Sequence, residues 1–435
     1  MSSNTLTKRS NTSPSSSSSS SSSLVAEQSD SISITNTEKM ATTSSNISTS
    51  TPAKPVSRWY GWWIRFASTV AMFATSISVI YAGHLVTSAV IFLSNVIVYK
   101  EISTLSRLQT HKVQLSWFSR ALNWYFFLGA NYFMIGRIFY GHFANYFHTT
   151  DNEVLSFLSY YHILISFIMY IVGFVLFVMT LEVGKYKQQF IQLAWTHMTI
   201  ISTAAQTTLW ISNIFQGFIW FILPTSLVIL NDIFAYVFGF FFGKTQLIAV
   251  SPKKTWEGFI GGMFTTLIGS ILLAHYFSGY SWMICPKTDL ILHPTTCVPS
   301  AMFTRTTTPV FKWLVPYMFG IESLPVSPII LHAFVLGLFA SLVAPYGGFF
   351  ASGLKRAFGI KDFGSSIPGH GGITDRTDCQ FFMGTFTYIY LYTFISRLPA
   401  VATILQRVSS LSPKDQLDIY MKLQSTLLES GLLVN

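Results

Sequence analysis

Long apolar windows recur along this chain of 435 residues, and they constrain its fold more than any other feature of the sequence. About nine windows reach or approach the length that a membrane-spanning helix requires. They lie near residues 64–82, 84–99, 121–143, 160–181, 190–214, 215–243, 258–277, 329–346 and 380–397. Backbone groups in hydrocarbon must be hydrogen-bonded within the protein, and windows this long suit helices rather than barrel strands. The sequence therefore predicts an all-α fold, a polytopic integral membrane bundle of about nine to ten transmembrane helices.

Composition and apolar windows together divide the chain into a tail, a membrane domain and a second tail. Residues 1–57 are rich in serine and threonine and hold almost nothing that could form a core, so we predict a disordered cytosolic tail. Residues 58–400 form the predicted transmembrane domain, in which polar blocks at 231–262 and 344–380 carry the chemistry. Residues 401–435 are predicted to be an amphipathic C-terminal tail.

Positive charges indicate which face of the bundle meets the cytosol. Lys54, Arg58 and Arg65 stand at or before the start of the first span, which places the N-terminus in the cytosol by the positive-inside rule. Counting forward, the loops on that side are 100–120, 182–189, 244–257 and 347–379. Lysine and arginine are concentrated there, so the net charge of +10 would attract anionic lipids and nucleotides to this face. The loop at 278–328 is then on the opposite, lumenal side.

Two of the three cysteines, Cys285 and Cys297, share that opposite loop. They would form a disulfide if the compartment is oxidising, and two free cysteines are the alternative that the sequence leaves open. Cys379 borders the cytosolic block and is interpreted as a packing residue.

The segment "GFFFGKT", residues 239–245, resembles a phosphate-binding loop but is one residue short of that pattern. Gly239 and Gly243 better fit the spacing of small residues that lets membrane helices approach closely. Gly258 and Gly262 are interpreted in the same way. A phosphate loop is therefore not predicted here.

Asp232 is an acidic residue deep inside an apolar window, "SLVILNDIFAYVFGFF". An ionised carboxylate at such depth is costly unless it meets a cation, a metal ion or water. A hydrogen bond to another helix is the structural alternative. We favour a functional site facing a polar cavity, to which Asn231 can add a carbonyl or an amide.

The next polar block, "SPKKTWEGFIGG" at residues 251–262, follows a short loop. A Ser-Pro pair ends the preceding helix, and Lys253 and Lys254 then offer point charges for phosphate. Ordinary positive-inside lysines would explain that pair alone, but not the surrounding Ser-Pro, Thr255 and Glu257. The block therefore favours phosphate binding.

The third block, "KRAFGIKDFGSSIPGHGGITDRTDCQ" at residues 355–380, is highly charged in a chain with only 10% charged residues. Asp375 and Asp378 are three residues apart, so on a helix they share a face and could hold the same metal. Asp362 could reach them from the loop. Mg²⁺ binds a few carboxylates together with waters and substrate phosphates, which suits this sparse acidic set.

Glycines in the same block predict an anion-binding turn at residues 368–372. Its backbone N–H groups can converge on phosphate oxygens as a nest. Positive charge nearby would come from Lys355, Arg356, Lys361 and Arg376. A solvated loop is the alternative, but it does not explain "GHGG" followed by "DRTD" at the mouth of a membrane helix. Together the three blocks predict a substrate with many phosphates, bound through Mg²⁺ at the cytosolic membrane face.

The segment from Ser352 to Asp378 resembles the signature of the phosphatidate cytidylyltransferase (CDP-diacylglycerol synthase) family throughout. "NDIFAY" and "SPKKTWEG" are similar to other segments of that family. "APYGGFFASG" and the cysteine-containing loop resemble its eukaryotic branch. The likeness extends from Trp59 to Arg397 and leaves out the serine-rich tail.

The resemblance implies an enzyme of phospholipid biosynthesis that joins CTP and phosphatidate to give CDP-diacylglycerol and pyrophosphate. It also implies the endoplasmic reticulum membrane as its location, with phosphatidate held in the bilayer and CTP arriving from the cytosol. A phosphatidate oxygen would attack the α-phosphorus of CTP in line, and Mg²⁺ would polarise the phosphate oxygens.

On this hypothesis, the catalytic residues are Asp232, Lys355, Asp375, Arg376 and Asp378, and the three aspartates bind Mg²⁺. The predicted substrate-binding residues are Lys253, Lys254, Thr255, Glu257, Ser352, Arg356, Lys361, Asp362, His370, Gly371 and Gly372. The His370 imidazole is interpreted as a hydrogen-bond donor in the nucleotide pocket rather than as a base.

Two other functions would use similar parts. A CTP-dependent polyprenol or lipid kinase would release CDP instead of pyrophosphate. A nucleotide or phosphate transporter should show internal repeats with interrupted helices, and none is found in the sequence. Nucleic acid is not an expected partner. The sequence leaves open whether the protein forms a homodimer and which acyl chains it prefers.

Overall fold

The computed structural model describes residues 58–109, 116–143, 153–287, 297–304, 327–395, 404–405, 408–409 and 411–431. Its α-helices in chain order are α1 (Arg58–Tyr81), α2 (His84–Gln109), α3 (Trp117–His142), α4 (Glu153–Tyr160), α5 (His162–Met179), α6 (Tyr186–Phe215), α7 (Ile219–Phe242), α8 (Trp256–Ser278), α9 (Ser281–Ile284), α10 (Ile329–Leu342), α11 (Pro345–Ala357), α12 (Thr374–Tyr390) and α13 (Pro413–Glu429). A π-helical turn, Leu391–Ile395, follows α12. Two isolated β-bridges and no strands occur in the described residues, so the predicted all-α class is confirmed. The prediction for residues 1–57 lies outside this part of the chain.

Each of the nine predicted windows falls on a helix. Six described segments are long and apolar enough to cross a membrane: Trp63–Tyr81, His84–Leu105, His162–Met179, Ile219–Phe242, Trp256–Ser278 and Ile329–Ala357. The last combines α10 and α11. The windows at 121–143, 190–214 and 380–397 are helical as α3, α6 and α12 but do not satisfy the same criterion. The polytopic helical class therefore holds, although fewer described helices than predicted qualify as spans by length and composition.

Helix α6 shows why one predicted window is more polar than a lipid-exposed span. Its buried residues include Gln192, Thr196, Thr203 and Asn213, none more than 7% exposed. The helix packs against α2, α3, α7 and α12. Asn213 donates a hydrogen bond from Nδ2 to the Gly384 carbonyl oxygen on α12 at 3.1 Å. These polar groups face other helices rather than lipid, which reduces the cost of keeping them within the bundle.

Helices α7 and α8 approach each other closely at small residues. A Cβ atom at Gly258 would lie 2.5 Å from the Ala235 carbonyl oxygen and 3.1 Å from the Gly239 Cα, so only glycine fits there. Two turns further on, Thr266 donates a hydrogen bond to Asn231 Oδ1 at 3.3 Å. The interpretation of these glycines as helix-packing residues is confirmed.

An apolar core joins the helices that carry the polar blocks. Leu223 and Leu227 of α7, Leu336 of α10 and Met383 of α12 are fully buried in one cluster. In a membrane bundle such side chains hold helices together by close van der Waals packing rather than by removal from water. This core fixes α7 against α12, and thereby fixes the relative positions of the acidic residues that these helices bear.

Cys285 and Cys379 belong to the same cluster, and the structure answers what the sequence left open about the cysteines. Cys285 and Cys297 are joined by a disulfide, with 5.7 Å between their Cα atoms, so the disulfide alternative holds. Cys379 is a buried free thiol, as its interpretation as a packing residue requires. In the C-terminal tail, α13 begins at Pro413 and buries none of its residues.

Candidate active site

Two acidic side chains interact between α7 and α12. Asp232 lies within α7, and its side chain is 49% exposed. Asp378 lies in the second turn of α12, before the predicted span at 380–397, and is partly buried. Burial raises the pKa of the Asp378 carboxyl above its usual range, and the negative charge of Asp232 raises it further. The two carboxylates are therefore close enough to repel each other.

Two cations complete this acidic pair. The Lys254 ammonium lies 3.8 Å from Asp232 Oδ1, and the charge of Arg376 also acts on Asp232. This contact is longer than a hydrogen bond, and both side chains are about half-exposed in the bundle. Lys254 can therefore turn to an anionic ligand at little cost. The helix–helix hydrogen bond considered for Asp232 is made instead by the neighbouring Asn231.

Asp232 and Asp378 are a donor set that suits Mg²⁺. This ion is usually held by one or two carboxylates, while waters and substrate phosphates fill its other positions. A cation between two carboxylates would also offset their mutual repulsion. In the described part of the chain, no group of three His, Cys, Asp or Glu side chains is placed to hold one ion. The structure therefore brings together two of the three predicted carboxylates, and Asp375 as a third metal ligand stays a prediction.

Asp375, the third aspartate of that prediction, accepts three hydrogen bonds from protein donors. Its Oδ1 accepts a hydrogen bond from Lys355 Nζ at 2.7 Å, and its Oδ2 accepts from the backbone N–H groups of Phe363 at 2.9 Å and Gly372 at 3.1 Å. The side chains of Lys355 and Asp375 are only 16% and 7% exposed. This geometry makes Asp375 and Lys355 a buried pair that folds the signature loop, a role that the sequence prediction did not include.

Glu101, on α2, is a site residue that the sequence analysis missed. It is 5% exposed, and its carboxylate accepts four hydrogen bonds from the signature segment. The donors are Ser366 Oγ at 2.5 Å, the N–H groups of Ile373 at 3.1 Å and Thr374 at 2.9 Å, and Thr374 Oγ1 at 2.7 Å. Its only signal in the sequence is an acidic residue two positions after the apolar window at 84–99, within the basic loop at 100–120.

The glycine-rich turn directs several of its backbone donors to these two carboxylates. The N–H groups of Gly372, Ile373 and Thr374 bond to Asp375 or Glu101, and the His370 N–H bonds to the Ile367 carbonyl oxygen. Within the predicted phosphate nest at residues 368–372, the His370 and Gly372 amides thus have acceptors in the protein, and phosphate binding by this turn stays a prediction. Positive φ angles of 77° at Gly369 and 88° at Gly371 allow the turn that makes this arrangement.

His370 fastens the turn to α1. Its Nδ1 lies 2.9 Å from Ser68 Oγ, and its Nε2 lies 3.3 Å from Thr69 Oγ1. Arg376 Nη2 donates a hydrogen bond to the His370 carbonyl oxygen at 2.8 Å. The imidazole is thus within hydrogen-bonding distance of α1 at both nitrogens, and its predicted role as a donor in the nucleotide pocket stays a prediction. Nothing in the sequence indicated Ser68 or Thr69.

Two residues of the 251–262 block shape the α7–α8 loop. Thr255 caps the N-terminus of α8, since its Oγ1 accepts from the Gly258 N–H at 3.2 Å. Glu257 accepts hydrogen bonds from the Lys244 N–H at 3.1 Å and from Thr245 Oγ1 at 2.9 Å. These local contacts account for both residue types. Their predicted role in substrate binding stays a prediction.

The remaining predicted binding residues lie around the turn. Lys253, Arg356, Lys361 and Asp362 are exposed, and Ser352 is partly buried on α11. Asp362 is beside the turn, because a Cβ atom at Gly371 would lie 3.3 Å from both the Asp362 carboxyl and Asp375 Oδ2. Their exposure leaves the three basic side chains able to reach a phosphate, and their roles stay predictions.

Fold and site together define a polytopic helical membrane protein with a two-carboxylate site suited to a metal–phosphate ligand. The profile of the cytidylyltransferase family matches residues 63–394, and the chain belongs to this family. It is 44% identical over 383 residues to human phosphatidate cytidylyltransferase 1, covering 87% of this chain and 81% of the relative. It is 43% identical over 384 residues to human phosphatidate cytidylyltransferase 2, covering 87% and 85%. Phosphatidate cytidylyltransferase 1 of Arabidopsis thaliana is 44% identical over 369 residues, covering 84% and 87%.

Proposed function

We propose that this chain is a phosphatidate cytidylyltransferase, which converts CTP and phosphatidate into CDP-diacylglycerol and pyrophosphate. The observation that carries the proposal is that one core packs α7, which carries Asp232 of the "NDIFAY" segment, against α12, which carries Asp378 of the signature segment, so that the two charges act on each other. Two segments distant in sequence thus build one site. The names and the high coverage of the relatives support the same reaction.

The reaction brings two polyanions together. A phosphatidate oxygen attacks the α-phosphorus of CTP, a P–O bond forms, the bond between the α-phosphorus and the bridging oxygen breaks, and pyrophosphate leaves with that electron pair. Such chemistry needs mainly positioning and charge neutralisation, without a covalent intermediate. Lys254 and Arg376 would offset phosphate charge, and the exposed Lys253, Arg356 and Lys361 would add to it. Mg²⁺ held by Asp232 and Asp378 would supply a Lewis acid for the phosphate oxygens.

The site would face the cytosol from the endoplasmic reticulum membrane. Basic loops mark the face that carries the signature segment, as the positive-inside rule requires of a cytosolic face. The disulfide between Cys285 and Cys297 supports an oxidising lumen for the loop at 278–328. Water-soluble CTP would then reach the site directly, while phosphatidate would arrive from the bilayer.

The proposal predicts a product pair that identifies the reaction. Purified protein in mixed micelles, given phosphatidate and CTP labelled in its cytosine, should form labelled CDP-diacylglycerol and an equal amount of pyrophosphate. Removing divalent ions with EDTA should stop the reaction, and Mg²⁺ should restore it. Release of CDP and a new lipid phosphate would instead identify a lipid kinase. Transfer of unchanged CTP into proteoliposomes, with no lipid product, would identify a transporter.

The contact between His370 and α1 predicts a moderate effect on nucleotide binding. Replacing Ser68 with alanine and Thr69 with valine should raise the KM for CTP about fivefold, because one net hydrogen bond is worth about 1 kcal/mol. The turnover number kcat should change less. Ser76→Ala is the matched control on the same helix, since Ser76 Oγ bonds to the Met72 carbonyl oxygen of its own helix at 2.8 Å. Equal KM values in the control and the double variant would show that α1 does not support the nucleotide pocket.

A further inference from the structure

Glu101 supplies, from a distant helix, the cap that α12 lacks locally. The N-cap residue of α12 is Ile373, whose side chain cannot accept a hydrogen bond. The first N–H groups of a helix need acceptors, and acidic groups there are favoured by the helix dipole. Glu101 accepts from the Ile373 and Thr374 N–H groups at 3.1 and 2.9 Å. It therefore fixes the start of the helix that carries Asp375, Arg376 and Asp378.

The same carboxylate also fixes the loop that precedes α12. Ser366 Oγ donates to Glu101 Oε1, and two glycines pack directly against the carboxylate. A Cβ atom at Gly364 or at Gly372 would lie 2.6 Å from a Glu101 oxygen, so neither position has room for a side chain. The loop thus wraps around Glu101, and a shift of this side chain would move both the loop and the start of α12.

We propose that Glu101 is a positioning residue for cytidylyl transfer, which sets the placement of Asp378 and Arg376 through the N-terminus of α12. The inference rests on the proposed function but concerns a residue of the N-terminal half of the bundle, outside the signature segment. Glu101 does not touch the substrate in this account. It acts through Thr374 and Ile373, which lie one turn before Asp378. A displacement of about 1 Å at reacting groups can cost about 100-fold in rate, so the effect on kcat is large.

The test compares Glu101→Gln, Glu101→Asp and Glu101→Ala in full-length protein in lipid micelles. Glutamine keeps the shape of the side chain, but its N–H₂ group would face the N–H donors of Ile373 and Thr374. We therefore expect kcat to fall about 10- to 100-fold, with a smaller change in the KM for CTP. Aspartate keeps the charge and should recover part of kcat, whereas alanine should not. Glu182→Gln is the control, since Glu182 is a half-exposed acid paired with Lys185 at 2.6 Å, and it should behave like the wild type.

Hydrogen exchange provides a readout that does not depend on activity. In Glu101→Gln, amides of residues 363–376 should exchange faster, while those of α7 and α8 keep their protection. Wild-type kcat and exchange in Glu101→Gln would overturn the proposal. Equal loss of protection in all helices of Glu101→Gln would also overturn it. A lower KM for CTP in this variant would do the same, because it would indicate that the Glu101 carboxylate competes with a phosphate. An inactive wild type with the predicted local exchange change would count against the proposed function, while it would still show that Glu101 fixes the start of α12.

Discussion

Replacing Asp378 with asparagine should lower kcat for cytidylyl transfer about 1000-fold. Stabilisation by a metal ion is worth several kcal/mol of the barrier, and each 1.4 kcal/mol changes the rate about tenfold. Asparagine keeps the size of the side chain and one oxygen but removes the charge that holds the ion. Asp232→Asn should have a similar effect, since Asp232 is the carboxylate that acts electrostatically on Asp378. The measurement is kcat at saturating CTP over a titration of Mg²⁺.

The double variant decides whether the two carboxylates serve one ion. If they do, the first substitution removes the shared function and the second adds little, as for residues that act as a unit. The control is Asp418→Asn on α13, where the Asp418 side chain is 61% exposed and pairs with Lys422 at 2.8 Å. It should stay within about twofold of wild type. A shared ion would be contradicted if the loss of kcat in the double variant equalled the product of the two single losses. It would also be contradicted if the single variants kept the Mg²⁺ dependence of the wild type.

The helices and the chemical blocks of this chain are encoded locally, which is why the sequence predicts them well. Apolar windows longer than a soluble helix requires can be recognised without knowledge of neighbours. The α7–α8 contact can also be predicted from local sequence. Small residues four positions apart, at Gly239 and Gly243 and at Gly258 and Gly262, indicate that two helices approach closely. The number of spans was harder to predict, since α6 has polar residues that are buried against other helices.

The assignment of individual carboxylates could not be read from spacing. Asp375 and Asp378 share a helix, as predicted, but the preceding loop folds back and donates two N–H groups to Asp375 alone. Lys355, predicted to bind phosphate, reaches the same carboxylate at 2.7 Å. Helical periodicity predicts which residues share a face of one helix. The hydrogen bonds to Asp375 depend instead on how the preceding loop folds over the start of α12.

Glu101 shows the same limit over a longer range. It bonds to residues 265 and 273 positions further along the chain. The sequence around a single acidic residue after an apolar window does not indicate which distant residues will donate hydrogen bonds to it. Gly372 was predicted to bind substrate, and the structure supplies a different reason for a glycine there, which is the space taken by the Glu101 carboxylate.

Breaking the buried pair on the signature loop should have the largest effect on stability. Lys355→Met leaves the Asp375 carboxylate without its cation at a side chain only 7% exposed. Removing one partner from a buried pair typically costs about 3–5 kcal/mol, because the other charge remains buried. We expect Lys355→Met to lower the thermal midpoint in detergent by several degrees, and Asp375→Asn to do so less, since an amide oxygen can still accept from Phe363 or Gly372.

The double variant Lys355→Met with Asp375→Asn should regain about 1–3 kcal/mol relative to the sum of the single losses, as coupled neighbours do. The exposed pair Lys422–Asp418 is a matched control, with the same residue types at 2.8 Å but with side chains 76% and 61% exposed. Its coupling should not exceed about 0.5 kcal/mol. Suppose instead that Asp375 is a metal ligand, as the spacing first indicated. Asp375→Asn would then shift the Mg²⁺ dependence as Asp378→Asn does, the thermal midpoint would hardly change, and the two double-variant cycles would give equal coupling.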